Sequence, residues 1–139
     1  MSEARQSTAV AIGGRAVLIE GPPGAGKSSL ALALIDRGAT LIGDDSMLLH
    51  EEDGWLLARP HPNTRGLLEV RNLGLLPFPV CDQAPVSLLL RLDSAAARFV
   101  DVPGEIEISG IVIPMLNLSP DSPVLAIKAE LALERFGRG

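Results

Sequence analysis

The nine residues Gly21 to Ser29, GPPGAGKSS, decide the fold of this chain. They follow the apolar segment RAVLIE at 15–20 and precede KSSLALALIDR at 27–37, which is rich in strong helix formers and stops at Gly38. A glycine-rich turn between a strand and a helix is the setting in which the pattern G-x-x-x-x-G-K-[ST] forms a phosphate-binding loop. The sequence therefore predicts an α/β domain with a nucleotide site at this loop.

The loop contains the groups that a nucleoside triphosphate needs. Its glycines let backbone N–H groups converge on phosphate oxygens at the positively polarised start of a helix. Lys27 is predicted to contact the β and γ phosphates, and the Ser28 hydroxyl is predicted to bind Mg²⁺. The predicted nucleotide-binding residues are Gly21, Pro22, Pro23, Gly24, Ala25, Gly26, Lys27, Ser28 and Ser29.

Two adjacent carboxylates follow the next apolar segment. Asp44 and Asp45 come directly after TLIG, at the carboxyl end of a predicted strand, where open α/β sheets bind their ligands. One carboxylate is expected to join the metal site and the other to accept a proton from a substrate hydroxyl. Both side chains can reach one site only if the strand has ended and the backbone turns, since neighbouring strand residues face opposite ways.

Most of the remaining chain is predicted to form strands, and it shows no repeat or interdomain linker. STAVAI pairs with RAVLIE, a second hairpin turns at Asp53-Gly54, and PVSLLLRL reads as a strand buried on both faces. The segment 67–80 is assigned to strand or turn, and EIEISGIVIPML to one or two strands. A last helix is expected, with Ser122 as its N-cap and Pro123 at its first position.

Composition limits the kind of protein this is. The 139 residues are 47% hydrophobic, enough for a single domain over 1–139 with a sizeable core. A net charge of −5, with 12 Lys and Arg residues spread along the chain, argues against nucleic acid as a partner. No apolar run approaches the roughly 20 residues that cross a bilayer, and the lone Cys81 fits a reducing compartment. The sequence thus predicts a cytoplasmic domain.

Two motifs in this order resemble those of the HPr kinase/phosphorylase family. GPPGAGKSSLALALIDRGATLIGDDS resembles the family's core, and LLEVRNLGLL resembles its signature L-L-E-I-R-G-L-G-I. The likeness covers most of the chain and is closest to the catalytic-domain-only form of α-proteobacteria. It implies a P-loop domain of the HPr kinase / phosphoenolpyruvate carboxykinase type, with a mixed sheet and few helices.

The resemblance also implies an activity and its participants. The family uses ATP and Mg²⁺ to phosphorylate a serine of HPr, a small phosphocarrier protein that belongs to sugar or nitrogen-related phosphotransfer regulation. Many members remove that phosphate with inorganic phosphate, yielding pyrophosphate. Long members are hexamers, so the resemblance implies a homo-oligomer.

Residue roles follow from the matching motif positions. Asp45 resembles the base that deprotonates the serine, and Asp44 resembles the acid beside the metal. Glu69 and Arg71 occupy signature positions implicated in the reaction, especially in its reverse direction. Arg98 lies in a region where a family arginine is thought to reach the transferred phosphate.

Three positions depart from the family pattern. Ser29 replaces an acidic residue after the loop serine, Gln6 stands where a histidine is usual, and Asn72 replaces the signature glycine. These departures keep open an alternative from another class, a nucleotide-binding regulatory protein that has lost efficient transfer. A small-molecule P-loop kinase is the third alternative, and it is disfavoured because the chain has little room for a lid and a substrate-binding insertion.

Overall fold

The computed structural model describes residues 2–139 and contains eleven strands and two helices. In chain order the elements are β1 (Glu3–Arg5), β2 (Thr8–Ile12), β3 (Arg15–Glu20), α1 (Lys27–Asp36), β4 (Thr40–Gly43), β5 (Met47–Glu52), β6 (Trp55–Pro60), β7 (Leu67–Val70), β8 (Gly74–Pro77), β9 (Ala84–Leu92), β10 (Gly104–Ile108), β11 (Ile111–Leu118) and α2 (Leu125–Phe136). The predicted α/β fold with a mixed sheet and few helices is confirmed.

Nine of the strands form one mixed sheet. Its main order is β1-β5-β6-β9-β3-β2-β4, while β11 pairs with the carboxyl-terminal half of β9 and carries β10 on its outer side. Strands β3, β9 and β11 run parallel to one another, and the other pairs are antiparallel. Because β3 and β9 are parallel neighbours, their carboxyl ends lie side by side at the same end of the sheet.

The central strands β3 and β9 are buried on both faces, as predicted for PVSLLLRL. Leu18 and Leu89 point to the face covered by the β5–β6 and β10–β11 hairpins, whereas Val17 and Leu88 point to the face covered by the two helices. Each fully buried leucine contributes about 1.5–3 kcal/mol relative to an exposed one. The apolar packing on both faces therefore fixes the position of β3, the strand after which the phosphate loop begins.

Helices α1 and α2 pack on the same face of the sheet. Their small and aliphatic side chains enter one apolar cluster with the central strands, and Arg37, the residue that follows α1, forms an ion pair with Glu130 of α2 at 2.9 Å. Within residues 2–139, neither helix has the length and apolar character needed to span a membrane.

Three details differ from the sequence predictions or refine them. The start of the last helix was predicted wrongly: α2 begins at Leu125, because the Ser122 hydroxyl accepts the N–H of Val124 and forms a short turn ahead of the helix. Strand β1 was missed, since EAR has no apolar pattern and forms a strand only by pairing with β5. The segment 67–77 is a separate two-stranded hairpin.

Candidate functional site

The phosphate loop lies between β3 and α1, as predicted. Gly24 and Gly26 have positive φ angles of 80° and 98°, and a Cβ atom at either position would meet no other atom within 4 Å. The space beside both glycines is therefore open. No side chain caps the start of α1 by a hydrogen bond, and its first turn contains no acidic residue, so backbone N–H groups there are available to an anion.

Gly21, the first residue of the loop, has close neighbours both in the sheet and within the loop. A Cβ atom on Gly21 would lie 3.1 Å from the Leu92 carbonyl oxygen, a tight contact, so glycine at this position eases the close approach of the loop to β9. Lys27 Nζ donates a hydrogen bond of 3.0 Å to the Gly21 carbonyl oxygen across the loop. Lys27 also lines both cavities that border the loop.

Asp44 collects three hydrogen bonds from distant parts of the chain. Its Oδ1 accepts the Ser28 hydroxyl at 2.7 Å and the buried Thr8 hydroxyl at 3.1 Å, and its Oδ2 accepts the backbone N–H of Glu69 at 2.9 Å. These contacts fix the carboxylate beside the phosphate loop. Thr8 was not predicted as a site residue, because nothing distinguishes its hydroxyl within a strand of apolar residues.

The oxygen atoms of Ser28 and Asp44 fit a magnesium ion. Mg²⁺ prefers oxygen ligands and is commonly held by one or two protein groups together with water and substrate phosphates. No group of three or more His, Cys, Asp or Glu residues suited to a metal occurs within residues 2–139. A magnesium ion at this position would be held by the Ser28 hydroxyl and the Asp44 carboxylate, which lie within hydrogen-bond distance of each other beside the phosphate loop.

Asp45 meets the condition set by the sequence. Strand β4 ends at Gly43, and Asp45 has a φ angle of 64°, a left-handed conformation that aspartate tolerates better than most residues. The backbone therefore turns, and both aspartates line one cavity of about 390 Å³, which we call the aspartate cavity. Its lining comprises Gln6, Thr8, Pro23, Gly24, Ala25, Gly26, Lys27, Ser28, Ser29, Asp44, Asp45, Glu69 and Arg71.

The β7–β8 hairpin brings Glu69 and Arg71 to the aspartate cavity. Its turn contains Asn72, the residue that replaces the family's glycine, and Asn72 has a φ angle of 75°. Asparagine is among the few residues that adopt this conformation routinely. The substitution therefore preserves the backbone turn that a glycine would make.

We expect Asn72→Ala to lower the free energy of unfolding by about 1 kcal/mol, since alanine is strained at this φ angle, whereas Asn72→Gly should change it much less. Denaturant titration of the two variants measures the difference. Asn63→Ala is the matched control, because Asn63 is exposed and has no positive φ angle. Equal stability of Asn72→Ala and the parent chain would contradict the expectation.

A second, larger cavity of about 700 Å³ lies along the phosphate loop, and we call it the Arg91 cavity. The strand ends of β3 and β9 contribute Glu20 and Arg91, and Gln6 and Lys27 line this cavity as well as the first one. Its lining comprises Gln6, Glu20, Gly21, Pro22, Pro23, Gly24, Ala25, Lys27, Arg91, Leu92, Asp93, Ser94 and Pro120. All nine predicted loop residues thus border one or both cavities.

Arg98 is the one predicted site residue that the structure does not bring to either loop cavity. It is exposed and lines a different depression, with neighbours that include Phe99, Asn117 and Phe136. The arginine that lines the cavity along the phosphate loop is Arg91. Arg91 was not predicted as a site residue, because no local sequence pattern indicates that β9 lies beside β3.

Comparison with known proteins places these motifs in a family. The family described as "HPr Serine kinase C-terminal domain" matches residues 1–80. HPr kinase/phosphorylase of Mycoplasma mycoides is 34% identical over 95 residues, which are 63% of this chain and 30% of that protein. The protein of the same name from Clostridium beijerinckii is 45% identical over 67 residues, which are 48% of this chain and 22% of that protein. The chain spans less than a third of these relatives' length.

A solved structure agrees over nearly the whole chain. The Hpr(Ser) kinase/phosphatase from Coxiella burnetii superposes with a TM-score of 0.85 at 25% sequence identity, covering 95% of this chain and 88% of that one. The α-proteobacterial subtype and the roles of individual site residues stay predictions. On the family match and this shared fold, the chain belongs to the HPr serine kinase C-terminal domain family.

Proposed function

We propose that this chain is an ATP- and Mg²⁺-dependent protein kinase that phosphorylates a serine of the phosphocarrier protein HPr. The observation that supports it best is the pair Asp44 and Asp45 in one cavity with the phosphate loop: Asp44 is hydrogen-bonded to Ser28, and Asp45 is exposed beside it. An exposed carboxylate is accessible to a side chain of another protein. The names of the relatives support HPr as that protein.

Each residue then has a role in the transfer. Lys27 exchanges its bond to the Gly21 carbonyl for phosphate oxygens, together with the backbone N–H groups at the start of α1. Ser28 and Asp44 hold Mg²⁺, which when bound neutralises charge on the phosphates. Asp45 accepts the proton of the serine hydroxyl while the serine oxygen forms its bond to the γ phosphorus and the bond to ADP breaks.

The arginine and glutamate of the hairpin complete the proposed site. Arg71 carries positive charge into the aspartate cavity, where it balances part of the charge of Asp44 and Asp45. Glu69 is held there by its own backbone contact to Asp44. We assign both residues to the transfer reaction and to its reversal, in which inorganic phosphate attacks phosphoserine and pyrophosphate is released. A homo-oligomer and a cytoplasmic location belong to the same proposal.

The direct test is incubation of the purified chain with HPr, ATP labelled in its γ phosphate, and Mg²⁺. The expected result is label on an HPr serine that is lost when Mg²⁺ is chelated. ATP binding without any labelling of HPr would instead favour the alternative function, a nucleotide-binding regulatory protein of the same fold. Gln6 and Ser29 are the observation that favours this alternative, since both line the aspartate cavity where the family pattern has a histidine and an acidic residue.

We expect reversal to be slower than transfer, and Gln6→His to raise pyrophosphate release by about tenfold or more. Reversal needs a proton for the leaving serine oxygen, and an imidazole, unlike an amide, can exchange one near neutral pH. Pyrophosphate release from serine-phosphorylated HPr and inorganic phosphate, compared across pH 5.5 to 8.5, measures the effect. Gln83→His is the control, because Gln83 is the chain's other glutamine and lines neither loop cavity. An unchanged rate in Gln6→His would refute the role given to this position.

A further inference from the structure

Arg91 lines the cavity that runs along the phosphate loop. Arg91 is half-buried near the end of β9, and β9 runs parallel to β3, the strand that leads into the loop. The three ion pairs found within residues 2–139 do not include Arg91. A guanidinium group beside a phosphate-binding loop can donate two parallel hydrogen bonds to a phosphate.

The nearest carboxylate in the strand register is already occupied. Glu20 and Arg91 are Cα partners on the neighbouring strands β3 and β9, and neighbouring strands lie about 4.8 Å apart. Glu20 nevertheless pairs with Arg5 of β1, whose Nε and Nη2 donate bonds of 2.6 Å and 3.1 Å to the two carboxylate oxygens. This bidentate contact balances the charge of Glu20, so Glu20 does not pair with Arg91.

The other acidic group of the Arg91 cavity is Asp93. Its Oδ1 accepts the backbone N–H of Ala95 at 2.9 Å, which caps the turn after β9. Lys27 is the second cation of this cavity. With Glu20 held by Arg5, the positive groups facing the loop are Lys27 and Arg91, a pair suited to the several negative charges of a polyphosphate.

We propose that Arg91 is a second cationic residue that binds the phosphate groups of the nucleotide, and that Arg5 keeps Arg91 available by holding Glu20. The proposal rests on the nucleotide binding proposed above, and it adds an anion-binding residue in the Arg91 cavity, whose lining does not include the aspartate pair. Arg5 is a positioning residue in this scheme. Without Arg5, Glu20 pairs with Arg91 and competes with phosphate for the guanidinium group.

Calorimetric titration with Mg-ATP tests the scheme through four variants. Arg91→Ala should raise the Kd about tenfold, the loss of one charge-assisted contact, and Arg5→Met should raise it by a similar factor. Arg5→Met combined with Glu20→Gln should return the Kd to within about twofold of the parent chain, because the competing charge is gone. Arg5→Met combined with Arg91→Ala should bind no more weakly than Arg91→Ala alone.

Titration with two further ligands, pyrophosphate and adenosine, shows whether Arg91 acts on the phosphates or on the rest of the nucleotide. Pyrophosphate should show the same order of affinities as Mg-ATP, whereas any binding of adenosine should be unchanged in Arg91→Ala. Arg135→Ala serves as the matched arginine control, because Arg135 lies in the last turn of α2 and lines neither loop cavity. Circular dichroism and thermal melting check that each variant is folded.

The outcomes distinguish the new inference from the proposed function. If the parent chain binds neither Mg-ATP nor pyrophosphate, the proposed function fails and the inference fails with it. If the parent chain binds but Arg91→Ala binds equally well, only the inference is overturned. If Arg5→Met weakens binding and Glu20→Gln does not restore it, Arg5 acts by supporting the loop and its positioning role is refuted.

Discussion

Replacing Asp45 with asparagine is expected to lower the rate of HPr phosphorylation by about a hundredfold to ten-thousandfold, the usual contribution of a general base. Asparagine has nearly the shape of aspartate and tolerates the left-handed backbone at this position, with its φ angle of 64°. Its amide cannot accept the serine proton. The Kd for Mg-ATP should therefore stay within about twofold of the parent value while transfer is lost.

Single-turnover transfer to HPr, measured together with nucleotide binding, checks this expectation. Asp53→Asn is the matched control, because Asp53 also has a positive φ angle, 52°, and lies in the turn between β5 and β6. That variant should keep both properties. Transfer at the parent rate by Asp45→Asn would show that another group takes the proton.

Replacing Lys27 with alanine should raise the Kd for Mg-ATP by about tenfold to a hundredfold. The ammonium group supplies a charge-assisted contact worth about 1.5–3 kcal/mol with the phosphates. Before Lys27 of the parent chain can contact the phosphates, it must give up its hydrogen bond of 3.0 Å to the Gly21 carbonyl. This cost offsets part of the binding free energy that the ammonium group contributes, so the Kd should not rise more than about a hundredfold.

The chain offers a close control for this measurement. Lys128 is its other lysine, and it is exposed on α2 away from both loop cavities. Lys128→Ala should bind Mg-ATP as the parent chain does. Calorimetry that gives equal affinities for Lys27→Ala and Lys128→Ala would remove Lys27 from the nucleotide site.

Features set by short stretches of sequence could be predicted well. The phosphate loop, the helix that follows it and the hairpin at Asp53-Gly54 depend on glycine positions and apolar patterns within a few residues. The condition on Asp45 was also local, since it required only that the strand end before the aspartate pair. These elements agree with the structure.

Features that depend on distant residues could not be predicted. Asp44 is held by groups 16, 25 and 36 positions away in the chain, and one of them is a backbone N–H that has no sequence signal. Glu20 and Arg91 lie opposite each other only because β3 and β9 pair in parallel in this register. Strand β1 forms only in the presence of β5. In each case the deciding partner is set by topology.

The hydrogen bond from the Glu69 backbone to Asp44 has a consequence for mutational tolerance. Because the donor is a main-chain N–H, every amino acid except proline can make this contact. The β7–β8 hairpin is outside the main sheet, yet its attachment to the site does not depend on the side chain at position 69. Chemistry at that side chain can therefore change in evolution or by design while the hairpin keeps its place beside the aspartates.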